Sequence, residues 1–319
     1  MRLSCIVSLA AGVLSAIASE GTAQGPNVEI LAEYPPGNFL ENLDVLSDGR
    51  VVFTSYFAKT IEILDNRGTA STLAHVSAHP VSILAIEGGF LVAAHGQAFT
   101  SGPAFVETQQ FLLLDSGGRE VAMFKAPEAR FLNGMVSHSG GTILVADSVA
   151  GKIWQVDPKA HSVIPWLADG ALAQDPSVKE FRPGANGLKR QGDHVLVSNS
   201  SRGTLATIAV DSSGAPNGPL IELAKVDPID DFVVGPTGEI IFATRRDRQT
   251  ACRRWDDHNR SAVWWGWLYG RCPSQAIRWS RRSSRADDRG IFRGPQRARS
   301  CVAHQLLDLQ MNQVRWTCA

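Results

Sequence analysis

Cysteine is nearly missing from the body of this 319-residue chain: none of its 5 cysteines lies between residues 24 and 251. A disulfide framework for that stretch is thereby excluded. Net charge is also absent, with 31 basic against 31 acidic side chains, which argues against a dedicated nucleic-acid binder. No HExxH, CxxC or P-loop signature occurs, and Ser198-Asn199-Ser200-Ser201 has no G-x-S-x-G context. Zinc proteases, thiol oxidoreductases, P-loop NTPases and serine hydrolases therefore lack their motifs. What is present is ordinary globular composition, 44% apolar and 19% charged, which excludes collagen-like, disordered and many-spanning membrane proteins. The length fits two average domains, or one β-propeller.

The zero charge conceals two unlike stretches. Residues 245–319 hold 16 Arg and no Lys against 6 acidic residues, a net +10, together with 6 of the 8 Trp and 4 of the 5 Cys. The preceding 244 residues carry 15 basic and 25 acidic residues. The two stretches call for separate readings.

At the N-terminus, Arg2 precedes a mostly apolar run, Leu3 to Ala18, followed by small residues at Ala16-Ile17-Ala18 and Gly21-Thr22-Ala23. A basic start, a short apolar run and an A-x-A-like site form a signal peptide, here residues 1–23, and imply a secreted or periplasmic product. The run is too short and too rich in Ser and Gly for a membrane span.

From about residue 28 to 244 the chain alternates apolar and polar residues between glycine turns, the pattern of short strands. One phrase recurs: a polar residue, an apolar triplet, a Gly-containing turn, then a strongly apolar strand. It reads ENLDVLSDGRVVFTS from Glu41, PVSILAIEGGFLVAA from Pro80, NGMVSHSGGTILVADS from Asn133, NGLKRQGDHVLVSNS from Asn186 and DDFVVGPTGEIIFAT from Asp230. A second phrase follows in four of the five copies: a polar turn, an apolar strand, and an Asp near a Gly, as in KTIEILDNRG from Lys59. The steps between copies are roughly 40, 52, 53 and 44 residues. Periods of that size, with four strands per unit, predict an all-β fold, a six-bladed β-propeller with about five blades recognisable over residues 24–247. A β-sandwich of similar strands is the competing architecture, but it has no reason to keep such a long repeat.

In a propeller the first strand of each blade lines the central channel, so the residues opening these strands occupy matched places near one mouth. Here they are Glu41, Asn133, Asn186 and Asp230. Two carboxylates and two amides form an all-oxygen set suited to a hard cation such as calcium or magnesium, and less well to zinc. Two converging carboxylates without a cation or shared proton would be costly. Asn-Gly and Asp-Asp are equally common turn residues, and spacing alone does not separate the two readings. His79 precedes the second inner strand and His95 ends its neighbour, places more often filled by satisfied structural histidines.

The phrases FLENLDVLSDGRVVFTS, FLNGMVSHSGGTILVADSVAGKIWQVDP, GANGLKRQGDHVLVSNS and PIDDFVVGPTGEIIFAT resemble the gluconolactonase / senescence-marker-protein family of six-bladed propellers over about residues 28–247. The resemblance implies one divalent cation in the channel, calcium first, with magnesium, manganese or zinc as alternatives. It also implies hydrolysis of sugar lactones or related esters. It places metal ligands at Glu41, Asn186 and Asp230, the general base at Asp230, and a substrate-side amide at Asn133. Asp231 takes a place usually held by Gly. The family's substrate-binding Arg has only Arg130 as a counterpart, three residues before Asn133, and blade two opens without a polar ligand.

Residues 248–319 show neither strand alternation nor helical periodicity. A basic nucleic-acid tail and a disordered extension both fit poorly with 16 Arg and no Lys. An out-of-frame origin explains more. Read one nucleotide later, each TGG codon for Trp becomes a Gly codon, and Trp255-Asp256-Asp257-His258-Asn259 becomes Gly followed by residues drawn only from Thr, Ile and Met. That is the turn and strand blade five needs. The functional expectation is an exported metal-dependent lactone or ester hydrolase with a small-molecule substrate, no nucleic-acid partner and no membrane span. The alternative is a non-catalytic propeller that binds a ligand or serves as a scaffold.

Overall fold

Runs of β-branched and apolar residues, each ended by a tight turn, leave the chain only hairpins to form. The computed structural model describes residues 29–34, 38–101, 107–226, 229–235, 238, 240–246, 249–256, 261–264, 275–281 and 312–315. The expected signal peptide, 1–23, lies outside them.

Four-stranded antiparallel sheets follow one another along the chain, each in simple sequence order. Blade one is Leu40–Val45, Val51–Ser55, Thr60–Leu64 and Ala70–His75. Blade two is His79–Ile86, Gly89–His95, Gln109–Asp115 and Glu120–Lys125. Blade three is Leu132–Ser137, Ile143–Asp147, Lys152–Asp157 and Ser162–Ala168. Blade four is Ala185–Gln191, His194–Asn199, Thr204–Ala209 and Ile221–Lys225. Blade five is Ile229–Val234, Ile240–Arg246, Gln249–Asp256 and Ser261–Trp264. Among the described residues a further sheet has three strands, Glu29–Tyr34, Gln275–Arg281 and Asn312–Arg315. The fold is the propeller that the repeat predicts. The strands after residue 248 occupy a stretch where the repeat is no longer readable, since backbone pairing there does not depend on an apolar alternation. The rest of that tail lies outside the described residues.

The first strand of each blade lies against the first strand of the next, which places the five inner strands around a common axis. Apolar faces meet between blades. Leu91 and Phe111 of blade two pack with Leu132, Val145 and Trp154 of blade three, and Ile153 of blade three packs with Leu188 and Val197 of blade four. A single blade has two apolar faces and can bury them only by such stacking. The turns follow the repeat as well. The first hairpin of the five blades carries Gly49, Gly88, Gly141, Gly192 or Gly238, all at positive φ, a backbone state that side-chain-bearing residues avoid. The third hairpin of blades one to four begins with Asp65, Asp115, Asp157 or Asp211, whose Oδ1 accepts backbone N–H groups two to four residues on. This is the Asp of the second recurring phrase.

Candidate functional site

Each inner strand departs from regular pairing at one place. The register shifts lie between Leu40 and Leu43, Pro80 and Ser82, Leu132 and Met135, Ala185 and Leu188, and Ile229 and Phe232. The residues inside them are Glu41-Asn42, Val81, Asn133-Gly134, Asn186-Gly187 and Asp230-Asp231. A bulge bends its strand and re-aims a side chain, and here the same bulge recurs around the axis. The Asn-Gly pairs therefore sit at bulges inside strands. Their glycines are required by close approach. A Cβ on Gly134 would overlap the carbonyl oxygen of Asn186 and lie 3.0 Å from Gly187 Cα.

The bulges bring the predicted residues together. Glu41, Asn42, Asn133, Gly134, Asn186, Asp230 and Asp231 line one cavity of about 20 Å³, room for one water-sized occupant. Asn133 and Asn186 are buried. Asn186 Nδ2 donates to Asp230 Oδ1 at 2.7 Å and to Ser200 Oγ at 2.9 Å. Asn133 Nδ2 donates to Ser148 Oγ at 3.2 Å, and that hydroxyl donates to the Ala185 carbonyl at 2.6 Å. Ser198 Oγ accepts from Gly187 N at 2.8 Å and donates to the Asp230 carbonyl at 2.7 Å. Thr54 Oγ1 accepts from Asn42 N at 3.0 Å. A hydroxyl near the end of the second strand thus pins the bulge in blades one, three and four. These supports escaped the sequence reading, although TSY, ADS and SNS occupy one point of the repeat and carry the signal.

Asp231 differs in role from its neighbour. Its carboxylate accepts from Lys189 Nζ at 2.8 and 3.0 Å. Lys189 in turn lines a larger cavity, about 670 Å³, with Asp44 and Arg190. The ion pair is therefore the floor between the small cavity and the larger one. Burial pushes the Asp44 carboxyl up to about 6, against two backbone N–H donors that oppose the shift.

Arg130 is not brought into the cavity lining; it is exposed, and its backbone N donates to Asp147 Oδ2 at 2.8 Å. Asp147, fully buried, also accepts from Phe131 N, Val149 N, Ala150 N and Trp154 Nε1 at 2.9 to 3.1 Å. It fixes the segment that leads into Asn133. His95 is equally buried and neutral in character, with its ring nitrogens on Tyr56 Oη at 2.9 Å and the Leu132 carbonyl at 3.2 Å. Burial drives its pKa down to about 3. His79 stacks on Tyr56, and its Nδ1 pairs with the Tyr56 carbonyl at 3.0 Å. Both histidines are structural. Burial, with the negative charge of Glu41 adding to it, raises the Tyr56 hydroxyl above its ordinary range.

Among the described residues no three His, Cys, Asp or Glu side chains gather as a metal cluster. The cavity instead mixes carboxylates with amides, and Lys189 engages one of the carboxylates. Its all-oxygen donors and one-atom size fit a hard divalent cation better than zinc.

No family model and no curated protein sequence matches the chain. Solved structures do. A luciferin-regenerating enzyme is 14% identical with TM-score 0.57, covering 80% of this chain and 87% of that one. Regucalcin from Agrobacterium tumefaciens str. C58, a calcium-binding protein, is 16% identical with TM-score 0.55, covering 82% and 88%. A protein assigned as a gluconolactonase is 15% identical with TM-score 0.53, covering 72% and 78%. The chain is similar to these gluconolactonase-like propellers, and at such identities the likeness is one of fold. No helix among the described residues is long and apolar enough to cross a membrane.

Proposed function

We propose that the chain is a metal-dependent hydrolase of lactones or related esters. The single observation that carries this is the convergence of Glu41, Asn133, Asn186 and Asp230 on one cavity of ionic size. The fold by itself decides nothing about catalysis, because propellers host many functions. The calcium-binding regucalcin and the gluconolactonase assignment among the similar structures support the choice of cation and reaction.

Glu41, Asn186 and Asp230 would hold the cation, which supplies Lewis-acid polarisation of the substrate carbonyl. Asp230 is the general base. It is partly exposed, and its orientation is set by the Asn186 amide at 2.7 Å, so one carboxylate oxygen has a fixed direction while a proton is taken from the attacking water. Asn133 orients the substrate oxygen, itself positioned by Ser148. Arg130, exposed beside Phe131, would meet the substrate only beyond the cavity, as a rim cation. Export to the periplasm or medium is part of the proposal, resting on Arg2 and the Leu3–Ala18 run.

Purified protein should take up about one calcium or other divalent ion per chain in titration calorimetry. It should also hydrolyse members of a lactone and ester panel in a chelator-sensitive way. Hydrolysis that persists undiminished after exhaustive chelation would overturn the reading.

A further inference from the structure

Beside the cavity stands a wall of aromatic rings that this mechanism does not use. Phe39 meets Tyr56, Phe57 and Phe99 at centroid separations of 6.1, 6.0 and 5.7 Å, and Tyr56 meets Phe57 and Phe99 at 5.1 Å each. The wall continues through His95 to Phe131, 4.6 Å away, and from there to Phe181 at 5.2 Å. Every member precedes an inner strand, or ends or follows a second strand. That is the mouth at which Glu41 and Asn133 open. Phe39 lies two residues before Glu41 and Phe131 two before Asn133. The negative charge of Glu41 is felt at Tyr56.

Two facts give this wall a preference. Its polar atoms are consumed internally: Tyr56 Oη holds His95 Nδ1 and Phe99 N, both at 2.9 Å, and His95 Nε2 holds the Leu132 carbonyl. Sugar hydroxyls laid flat on these rings would give up water with no ring atom left to bond, which is costly. Second, among the described residues the large exposed apolar side chains are Phe57 and Phe181 at this mouth, 39% and 51% exposed, and aliphatic residues on outer strands. Among the described residues the exposed phenylalanine rings thus lie at this mouth, where a flat apolar group would cover them.

Resting on the hydrolase reading, we propose that this wall receives an aromatic group of the substrate. The substrate is then an aryl-bearing lactone or ester, and not a polyhydroxylated sugar lactone.

The test compares wild type with Phe57→Ser and Phe181→Ser, both partly solvent-facing, so that folding is spared. Three probes suffice: 3,4-dihydrocoumarin, glucono-δ-lactone, and the lactam 3,4-dihydro-2-quinolinone, an unreactive aryl analogue followed by calorimetry. Wild type should favour dihydrocoumarin in kcat/KM and bind the lactam. Each serine variant should weaken lactam binding about tenfold and leave sugar-lactone kinetics unchanged. A preference for glucono-δ-lactone, or lactam binding indifferent to both substitutions, overturns the inference. Cation uptake with hydrolysis but no lactam binding sinks this inference alone. Phe57-dependent lactam binding without cation uptake or hydrolysis sinks the hydrolase reading and leaves aryl recognition standing.

Discussion

Gly187→Ala tests the geometry of the cavity floor through a single contact. A methyl group at 187 would overlap Asp231 Oδ1 and come within 2.9 Å of its Cγ and 3.2 Å of its Cα. The carboxylate is not free to swing aside, because it accepts from Lys189 Nζ at 2.8 and 3.0 Å and from Phe232 N at 2.7 Å. Overpacking of this kind costs about 1–3 kcal/mol. Disrupting the ion pair, whose side chains are 21% and 23% exposed, adds about 1 kcal/mol at most. Gly187→Ala should therefore lower stability by roughly 1–4 kcal/mol. Asp231→Ala alone removes the ion pair and the obstructing oxygens. Combining it with Gly187→Ala should cost little beyond Asp231→Ala itself, a coupling of about 2 kcal/mol between the two sites. Urea unfolding midpoints at constant slope measure all four corners of the cycle. Gly170→Ala, where an added Cβ meets nothing within 4 Å, is the control. An additive double mutant, or a Gly187→Ala protein within about 0.5 kcal/mol of wild type, would show that Gly187 and Asp231 do not crowd each other.

Replacing Asp230 by alanine should abolish cation uptake and lower chelator-sensitive turnover by about 100-fold or more, with the far-ultraviolet β signature kept; unchanged turnover removes Asp230 from the mechanism. His95 and Asp44 should oppose each other in pH-dependent stability. The unfolded chain protonates His95 near 6.5 and the folded chain only near 3, so this stability is lost as pH falls from 6.5, by about 1.4 kcal/mol per unit. Folded Asp44 keeps its proton to about 6, against 3.8 when unfolded, so its contribution is lost as pH rises across that window. Between pH 4 and 6, relative to wild type, His95→Gln should tilt the profile towards losing stability with rising pH and Asp44→Asn towards gaining it; chemical melts showing parallel profiles for all three proteins would contradict this. Asp147→Ala strands five donors, of which Phe131 N and Trp154 Nε1 are buried, and should cost about 3–5 kcal/mol, seen as a lower denaturation midpoint; a shift below about 1 kcal/mol would show the hub to be dispensable.

The residues of this chain announce the blades one by one. Alternating apolar positions, a glycine in each first hairpin and an aspartate in the third hairpin of blades one to four are local features, and neighbouring residues suffice to produce a hairpin. Glu41, Asn133, Asn186 and Asp230 were legible for the same reason, since a repeat assigns equal positions to equal residues. Spacing could not separate a turn from a site in Asn133-Gly134. That took the bulge, and the Asn186 carbonyl packed where a side chain would stand. Nor does anything near Phe57 in sequence announce Phe99, or anything near Lys189 announce Asp231. Those partners lie about 40 residues apart, in different blades. Strands, turns and the opening side chain of each blade are written in the chain locally, because these depend on residues a few positions apart. That the oxygens share a cavity, that an ion pair floors it and that aromatic rings stand beside it emerges only from the packed blades. Those meetings depend on how the blades pack around the axis, which no short stretch of chain encodes.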